Sequence, residues 1–430
     1  MGLFKHSKQP SAPLPVLSLQ LSTPQDKVFK PNDTVTGHVS LSTPIPINPQ
    51  AVDVSLWGHS SVWLRTSHHN TTHDDHRHTD YTHYRDNAPL FAVTSNLLQH
   101  AQTLQPGQNY TFPFSFRVPQ GTGLNRMGCY KMDTDDRWTA QPHLLPPTFF
   151  WGSRPDDPDN ASISYGITAR LICPGISAGK HNNNQDPLSA TTPILFQPLN
   201  PHLNAPLSVV RYPKRLTLSS SSLTGQDPAS LGLRQKLSDR FSKDTPKLDF
   251  EAAIELPDLL TAGAEFRFRT AFAVLEKSAN VVAVPAITFR VLKLELLDFT
   301  FIRAPCDREA NSMMGGYHYK TPENAVNGVY SGQEDTVYRE KKTLLNAVPG
   351  ETTVVLEEVL ASEGDEKKTE QARSCQVWFT SRVPGFTPPS FRSFAISRNY
   401  RVRAKLQVEI GGKKFEVEAE SHVGALGSAA

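Results

Sequence analysis

Two β-sandwiches in tandem, with no helical layer, are the fold class this sequence predicts. Three observations carry the prediction. In Ser162–Cys173, Ile163, Tyr165, Ile167, Ala169, Leu171 and Cys173 alternate with polar partners, the period-two pattern of a strand with one face on a core. The same alternation returns near the end, where Tyr400, Val402, Ala404, Leu406, Val408 and Ile410 interleave with Arg401, Arg403, Lys405, Gln407 and Glu409. The chain also holds 34 prolines among 430 residues, about 8% against a usual ~5%, which favours turns over long helices.

Composition narrows the function classes. A formal charge of +2 is nearly balanced and argues against a dedicated nucleic-acid binder. The apolar runs fall short of the roughly 18 residues that span a bilayer, and MGLFKHSKQPSAP lacks the apolar core of a secretory signal. The expected location is therefore cytoplasmic, with peripheral association at membranes. Cys129, Cys173, Cys306 and Cys375 have no CxxC spacing and read as reduced thiols. The sequons starting at Asn32, Asn70, Asn109 and Asn160 are then chance matches, and His6 breaks the acylation pattern that Met1-Gly2 begins.

Taken in order, residues 1–13 form a tail and residues 14–200 the first sandwich. Its strands begin with VLSLQLS. In VFKPNDTVTGHVSL, Pro31-Asn32-Asp33 is turn chemistry ahead of Val35, Gly37, Val39 and Leu41. AVDVSLWGHSSVWL and LFAVTSNLL flank a histidine-rich loop, and NYTFPFSFRVP puts Tyr110, Phe112, Phe114, Phe116 and Val118 on one face. Pro146-Pro147 then marks a crossing segment, because proline cannot donate to a ladder, and TPILFQPL closes the domain.

Residues 201–246 read as a polar interdomain linker, with Leu233, Leu237 and Phe241 spaced for one short basic helix. Residues 247–424 form the second sandwich. Ala286–Arg303 is the most apolar run, and its alternation changes phase near Val291–Lys293, which predicts a bend or bulge there. The stretch from Pro305 to Gly332 reads as a long loop. Gly411-Gly412 makes a two-residue hairpin whose outward faces are basic on one strand and acidic on the other. A turn, an alternating strand and a long strand pair thus occur in both halves, a weak internal duplication.

The ordered series VFKPNDTVTGHVSL, AVDVSLWGHSSVWL, PGQNYTFPFSFRVP, LPPTFF and SISYGITARL resembles the amino-terminal domain of the arrestin family, in the form found in fungal arrestin-like proteins and arrestin-related trafficking adaptors. LKLELLDFTFI and FAISRNYRVRAKLQVEIGGKKFEVEAE look like strands of the arrestin carboxy-terminal domain. The resemblance, running from about residue 14 to 423, implies two immunoglobulin-like sandwiches and a non-enzymatic cytosolic adaptor, without cofactor, that binds membrane-protein cargo or signalling partners in trafficking or endocytosis. Related adaptors recruit a ubiquitin ligase through PPxY motifs. Here the proline pairs read PPTF (Pro146–Phe149) and PPSF (Pro388–Phe391), so any ligase contact is expected to be indirect. Two other readings stand beside the adaptor: an all-β hydrolase, and an interaction protein with no cargo role.

Candidate residues follow. Basic surfaces of the family meet phosphorylated cargo or anionic lipid, and Arg211, Lys214 and Arg215, with Arg339, Lys341 and Lys342, are the clusters that match. GISAG (Gly175–Gly179) fits the G-x-S-x-G nucleophile elbow at Ser177, a motif that needs a strand before it and a helix after it. His68–His83 offers imidazole and carboxylate to a metal, but a loose loop lacks the rigid frame of a site. The acids of DTDDR (Asp133–Arg137) and PDDPDN (Pro155–Asn160) lack calcium-loop spacing. No metal is expected at either.

Overall fold

The computed structural model describes residues 14–71, 77–100, 102–131, 134–176, 179–181, 184–199, 208–224, 245–307, 335–356 and 374–427. Two compact units emerge: unit 1 is Met1–Leu199 with Ile302–Tyr338 and Arg392–Ser397, and unit 2 is Asn200–Phe301 with Arg339–Phe391 and Arg398–Ala430.

Unit 1 holds β1 (Val16–Leu21), β2 (Val28–Phe29), β3 (Thr34–Ser42), β4 (Ala51–Thr71), β5 (Arg77–Asn96), β6 (Asn109–Arg117), β7 (Phe149–Trp151), β8 (Asn160–Ile172), β9 (Gly179–His181), β10 (Asn184–Asp186) and β11 (Leu188–Phe196). One sheet runs β1-β3-β6 and the other β2-β11-β8-β4-β5, with β7 beside β8. The predicted alternation is met: Ile163, Tyr165, Ile167, Ala169 and Leu171 of β8 are buried, as are Val35, Val39 and Leu41 of β3. Gly37 interrupts the β3 series for a steric reason, because a Cβ there would lie 2.3 Å from the Gln20 carbonyl oxygen and 2.7 Å from the Phe114 ring. Asn32 takes the positive φ of 69° in the predicted turn.

The rest of the chain, mostly unit 2, adds β12 (Val209–Ser219), a 3-10 turn at Ser221–Thr224, β13 (Lys247–Pro257), β14 (Leu259–Thr261), β15 (Glu265–Lys277), β16 (Ile287–Pro305), β17 (Asp335–Ala347), β18 (Glu351–Val354), β19 (Ser374–Arg382), β20 (Phe391–Arg392), β21 (Ile396–Ile410), β22 (Lys413–Val423) and β23 (Ala425–Gly427). Its sheets run β12-β13-β15-β19 and β17-β16-β21-β20, with β18 beside β16 and β22 beside β21. Between them lies an apolar core that includes Phe250, Phe268, Phe272, Phe289, Tyr400 and Val408. Gly411 and Gly412, at φ 54° and 77°, supply the left-handed pair that the two-residue hairpin demands.

Three expectations change, and two fall wholly or mostly outside the described residues. Val209–Ser219, read as linker, is a strand, because it pairs with β13 at every position from Val209↔Pro257 to Ser219↔Lys247. The predicted basic helix at 233–243 lies outside the described residues. The histidine-rich loop is largely ladder: β4 and β5 stay paired out to Thr71↔Arg77, and only 72–76 between them lies outside the described residues. Finally, β16 runs unbroken from Ile287 to Pro305. Its core-facing residues are Ile287, Phe289 and Val291, then Leu294 and Leu296, so the change of phase falls between Val291 and Leu294 inside one strand. Most of the predicted loop at 305–332 lies outside the described residues.

One device occurs in both units. The Tyr165 hydroxyl donates to the Pro146 carbonyl oxygen at 2.6 Å, and the Tyr400 hydroxyl donates to the Pro388 carbonyl oxygen at 2.8 Å. Both tyrosines are buried, and both acceptors are the first proline of a PP pair. A crossing segment with two prolines offers carbonyls and no N–H donors, so it needs a donor from the core. Tyr165→Phe should orphan a buried carbonyl and cost about 1–3 kcal/mol, read as a lower urea midpoint at unchanged slope. Tyr400→Phe should do the same in unit 2.

Candidate partner-binding surface

The predicted basic clusters divide by strand face. On β12, Arg211 donates to Glu251 at 2.8 Å and to Glu255 at 2.7 Å. Glu255 also binds Arg269 of β15, and only 2% of its side chain is exposed. A carboxylate so placed is costly unless it is paired, and two guanidiniums pair it. Lys214 donates through Nζ to the Glu416 carbonyl oxygen of β22 at 2.9 Å. Arg215 is exposed and stands opposite Glu251 in the ladder. Arg211 and Lys214 are therefore committed to the frame of unit 2.

On β17, Arg339 and Lys341 share a face. The Arg339 guanidinium lies 4.8 Å from the Phe299 ring centroid and 5.6 Å from that of Phe301, and Lys341 Nζ lies 5.7 Å from Phe299. Arg401 of β21 approaches Phe299 as well, at 5.1 Å. Phe299 points away from the core residues Leu294 and Leu296, yet it is buried, because long cationic side chains spread over it with their charges outward. Lys342 is on the opposite face of β17 and pairs with Glu340 at 3.0 Å. The structure thus joins Arg339 and Lys341 to Arg401 over Phe299 and places Lys342 on the other face. Arg401 and Arg403 are themselves tied to Glu420 of β22 at 2.8 and 2.7 Å, in the basic-against-acidic pairing their alternation predicts. Adding Arg401 to the site would have required knowing that β16 and β21 are neighbours.

A polar cluster in unit 1 has no counterpart in the sequence reading. Asp86 is buried, accepts from the Tyr130 hydroxyl at 2.6 Å and pairs with Arg126. The Arg303 guanidinium, in a side chain 1% exposed, lies 3.8 Å from the Tyr130 ring and 4.6 Å from the Trp138 ring, and Nε donates to the Phe394 carbonyl oxygen at 3.0 Å. Burial pushes the Tyr130 phenol well above its ordinary value, and the neighbouring Asp86 adds to that. This cluster is a charge-assisted anchor for the segments that carry it.

The remaining motifs resolve individually. Ser177 of GISAG lies outside the described residues, and β9 at Gly179–His181 stands where a nucleophile elbow needs a helix. Asp135 is held by Arg137, whose hydrogen bonds draw its carboxyl below the usual range. Asp159 accepts from the Arg65 amide at 2.9 Å. Among the described residues no group of three or more His, Cys, Asp or Glu is placed to hold a metal. Phe149 and Phe391 of the PPTF and PPSF segments are buried, so both segments belong to the sandwiches and do not present an extended docking motif.

Residues 17–123 match the family model of the arrestin (or S-antigen) N-terminal domain. That stretch is similar to an arrestin N-terminal domain. The match spans β1 to β6 of unit 1, which includes the Asn32 turn, Gly37 and the aromatic face of β6. No curated protein matches the chain. Arrestin-like domains act as adaptors or scaffolds that bind proteins, and the family is generally non-enzymatic. Among the described residues, no helix is long and apolar enough to cross a membrane.

Three histidines of unit 1 make its stability depend on pH. Burial holds His59, His83 and His143 below the ordinary value of 6.5, with Arg85 adding to the effect at His83. His83 Nδ1 accepts from the Trp63 indole at 3.1 Å and must be unprotonated to do so. Neutral when folded, these rings take up protons on unfolding, so their contribution is complete above 6.5 and is lost as pH falls toward the lowered folded values. The unfolding midpoint should drop between pH 7.5 and 5.5, each ring contributing at most about 1.4 kcal/mol per pH unit. His83→Gln should flatten that slope.

Proposed function

We propose that this arrestin-like chain is a non-catalytic adaptor that binds cytosolic segments of membrane-protein cargo, or of signalling partners, in trafficking or endocytosis. The observation that carries the reading is the column formed by Arg339 and Lys341 over Phe299 and Phe301. Such a surface offers positive charge above an apolar floor, and it suits a phosphorylated or acidic segment. Anionic lipid headgroups compete for the same chemistry. Ubiquitin-ligase machinery would arrive with the cargo, since the PP pairs are built into the units.

Affinity capture tests the reading. Wild-type protein should recover membrane proteins from a detergent extract of membranes. The Arg339→Glu/Lys341→Glu variant should recover roughly fivefold less or lower, equivalent to about 1 kcal/mol. Lys342→Glu, on the other face of β17, should recover the same set as wild type. Equal recovery by all three proteins, or recovery of no membrane protein, would contradict the proposal.

A further inference from the structure

Edges of the sheets differ in how they are closed to further pairing. β5, β6 and β12 each carry a proline, at Pro89, Pro113 and Pro213. β17 and β22 carry lysines. Proline and lysine are devices that keep an edge from accepting another strand. β19 has neither. Its nine residues, SCQVWFTSR, pair with β15 from Glu265↔Arg382 to Ala273↔Ser374 with no register shift. Among the described residues it pairs with β15 alone. β1 shares the lack of proline and lysine, but it carries no aromatic side chain.

The two faces of β19 are used differently. Val377 and Phe379 sit in the core of unit 2, which fixes the strand. Trp378 faces outward and is 54% exposed. Its indole meets the Arg269 guanidinium at 5.5 Å, and Arg269 is itself held by Glu255 and by Gln376 at 2.9 Å. With Arg269 neutralised by Glu255, the paired stretch carries Arg267 and Arg382 against Glu265. A rigid edge, a preset exposed indole and a positive surplus describe a strand-addition site for an acidic segment, with the ladder giving affinity and the indole register.

We propose that the free edge of β19 receives an extended acidic segment of a partner protein as an added strand, anchored on Trp378. The proposal rests on the adaptor reading above and locates one of its contacts. The probe is a dye-labelled nonapeptide of alternating glutamate and valine with a central tyrosine, followed by fluorescence anisotropy on the full chain. Saturable binding is expected, weakened roughly tenfold or more by Trp378→Ala and by Arg267→Glu. Both side chains are exposed, so the fold should survive either change. A peptide with lysine in place of glutamate should bind at least tenfold more weakly, and hydrogen exchange should show new protection confined to Ser374–Arg382. Absence of saturation, equal binding by Trp378→Ala, or protection gained on another strand overturns the proposal. So does sedimentation with phosphatidylserine vesicles that Trp378→Ala abolishes, which would assign this face to a membrane. If Trp378→Ala still captures the membrane proteins that Arg339→Glu/Lys341→Glu loses, the adaptor reading stands and only the β19 site falls.

Discussion

Each unit is fastened where its double proline crosses, and a buried phenol takes part in the fastening. The two prolines remove two N–H donors from the backbone and leave carbonyls that the ladder does not serve. Tyr165 and Tyr400 each supply the missing donor from a strand otherwise given to packing. The crossing segment is thereby drawn against the core, and the phenylalanine that follows, Phe149 or Phe391, becomes buried. Both tyrosines lie within their strands, so β8 and β21 carry the bond as part of their ladders. The likeness of the two halves, weak as a sequence pattern, is therefore a shared piece of chemistry.

That chemistry bears on function as well. Proline-rich segments serve as docking motifs when they are exposed and extended. In this chain the two PP pairs are spent on architecture, so the proposed function assigns partner recognition to strand faces and edges. The outer face of β16 is unusual for an exposed sheet because its phenylalanines are roofed by arginine and lysine stems. A partner meeting that face encounters charge first and apolar surface only if the cations move aside. At β19 the aromatic group is outermost from the start.

Much of the fold is legible because a strand with one buried face writes its period into the chain. Ile163 to Leu171 and Tyr400 to Ile410 state their own burial, and Gly411-Gly412 states its turn. The phase change in β16 is visible too, since Val291 and Leu294 cannot share a face of an unshifted strand. Function was less legible, for a geometric reason. Residues adjacent in sequence point to opposite sides of a strand, so a cluster such as Arg339, Lys341 and Lys342 is divided by the pleat. Polar partners are set by the tertiary fold: Arg211 finds the Glu255 carboxylate across 44 positions, and Lys214 finds the Glu416 backbone carbonyl across 202. Nothing local marks Arg303 as buried, for its surroundings are assembled from Tyr130, Trp138 and Phe394.

The carboxylate of Glu255 has a consequence for how this chain can diverge. Losing Arg211 or Arg269 leaves the buried Glu255 carboxylate with a single guanidinium, and losing Glu255 leaves Arg211 to Glu251 and Arg269 without a carboxylate among the described residues. Each single step from the trio passes through a poorer fold. The three positions are therefore expected to drift as a set, turning apolar together or staying charged together. Covariation at 211, 255 and 269 would then serve as a marker of descent for this sheet, independent of whatever partner its outer face has come to hold.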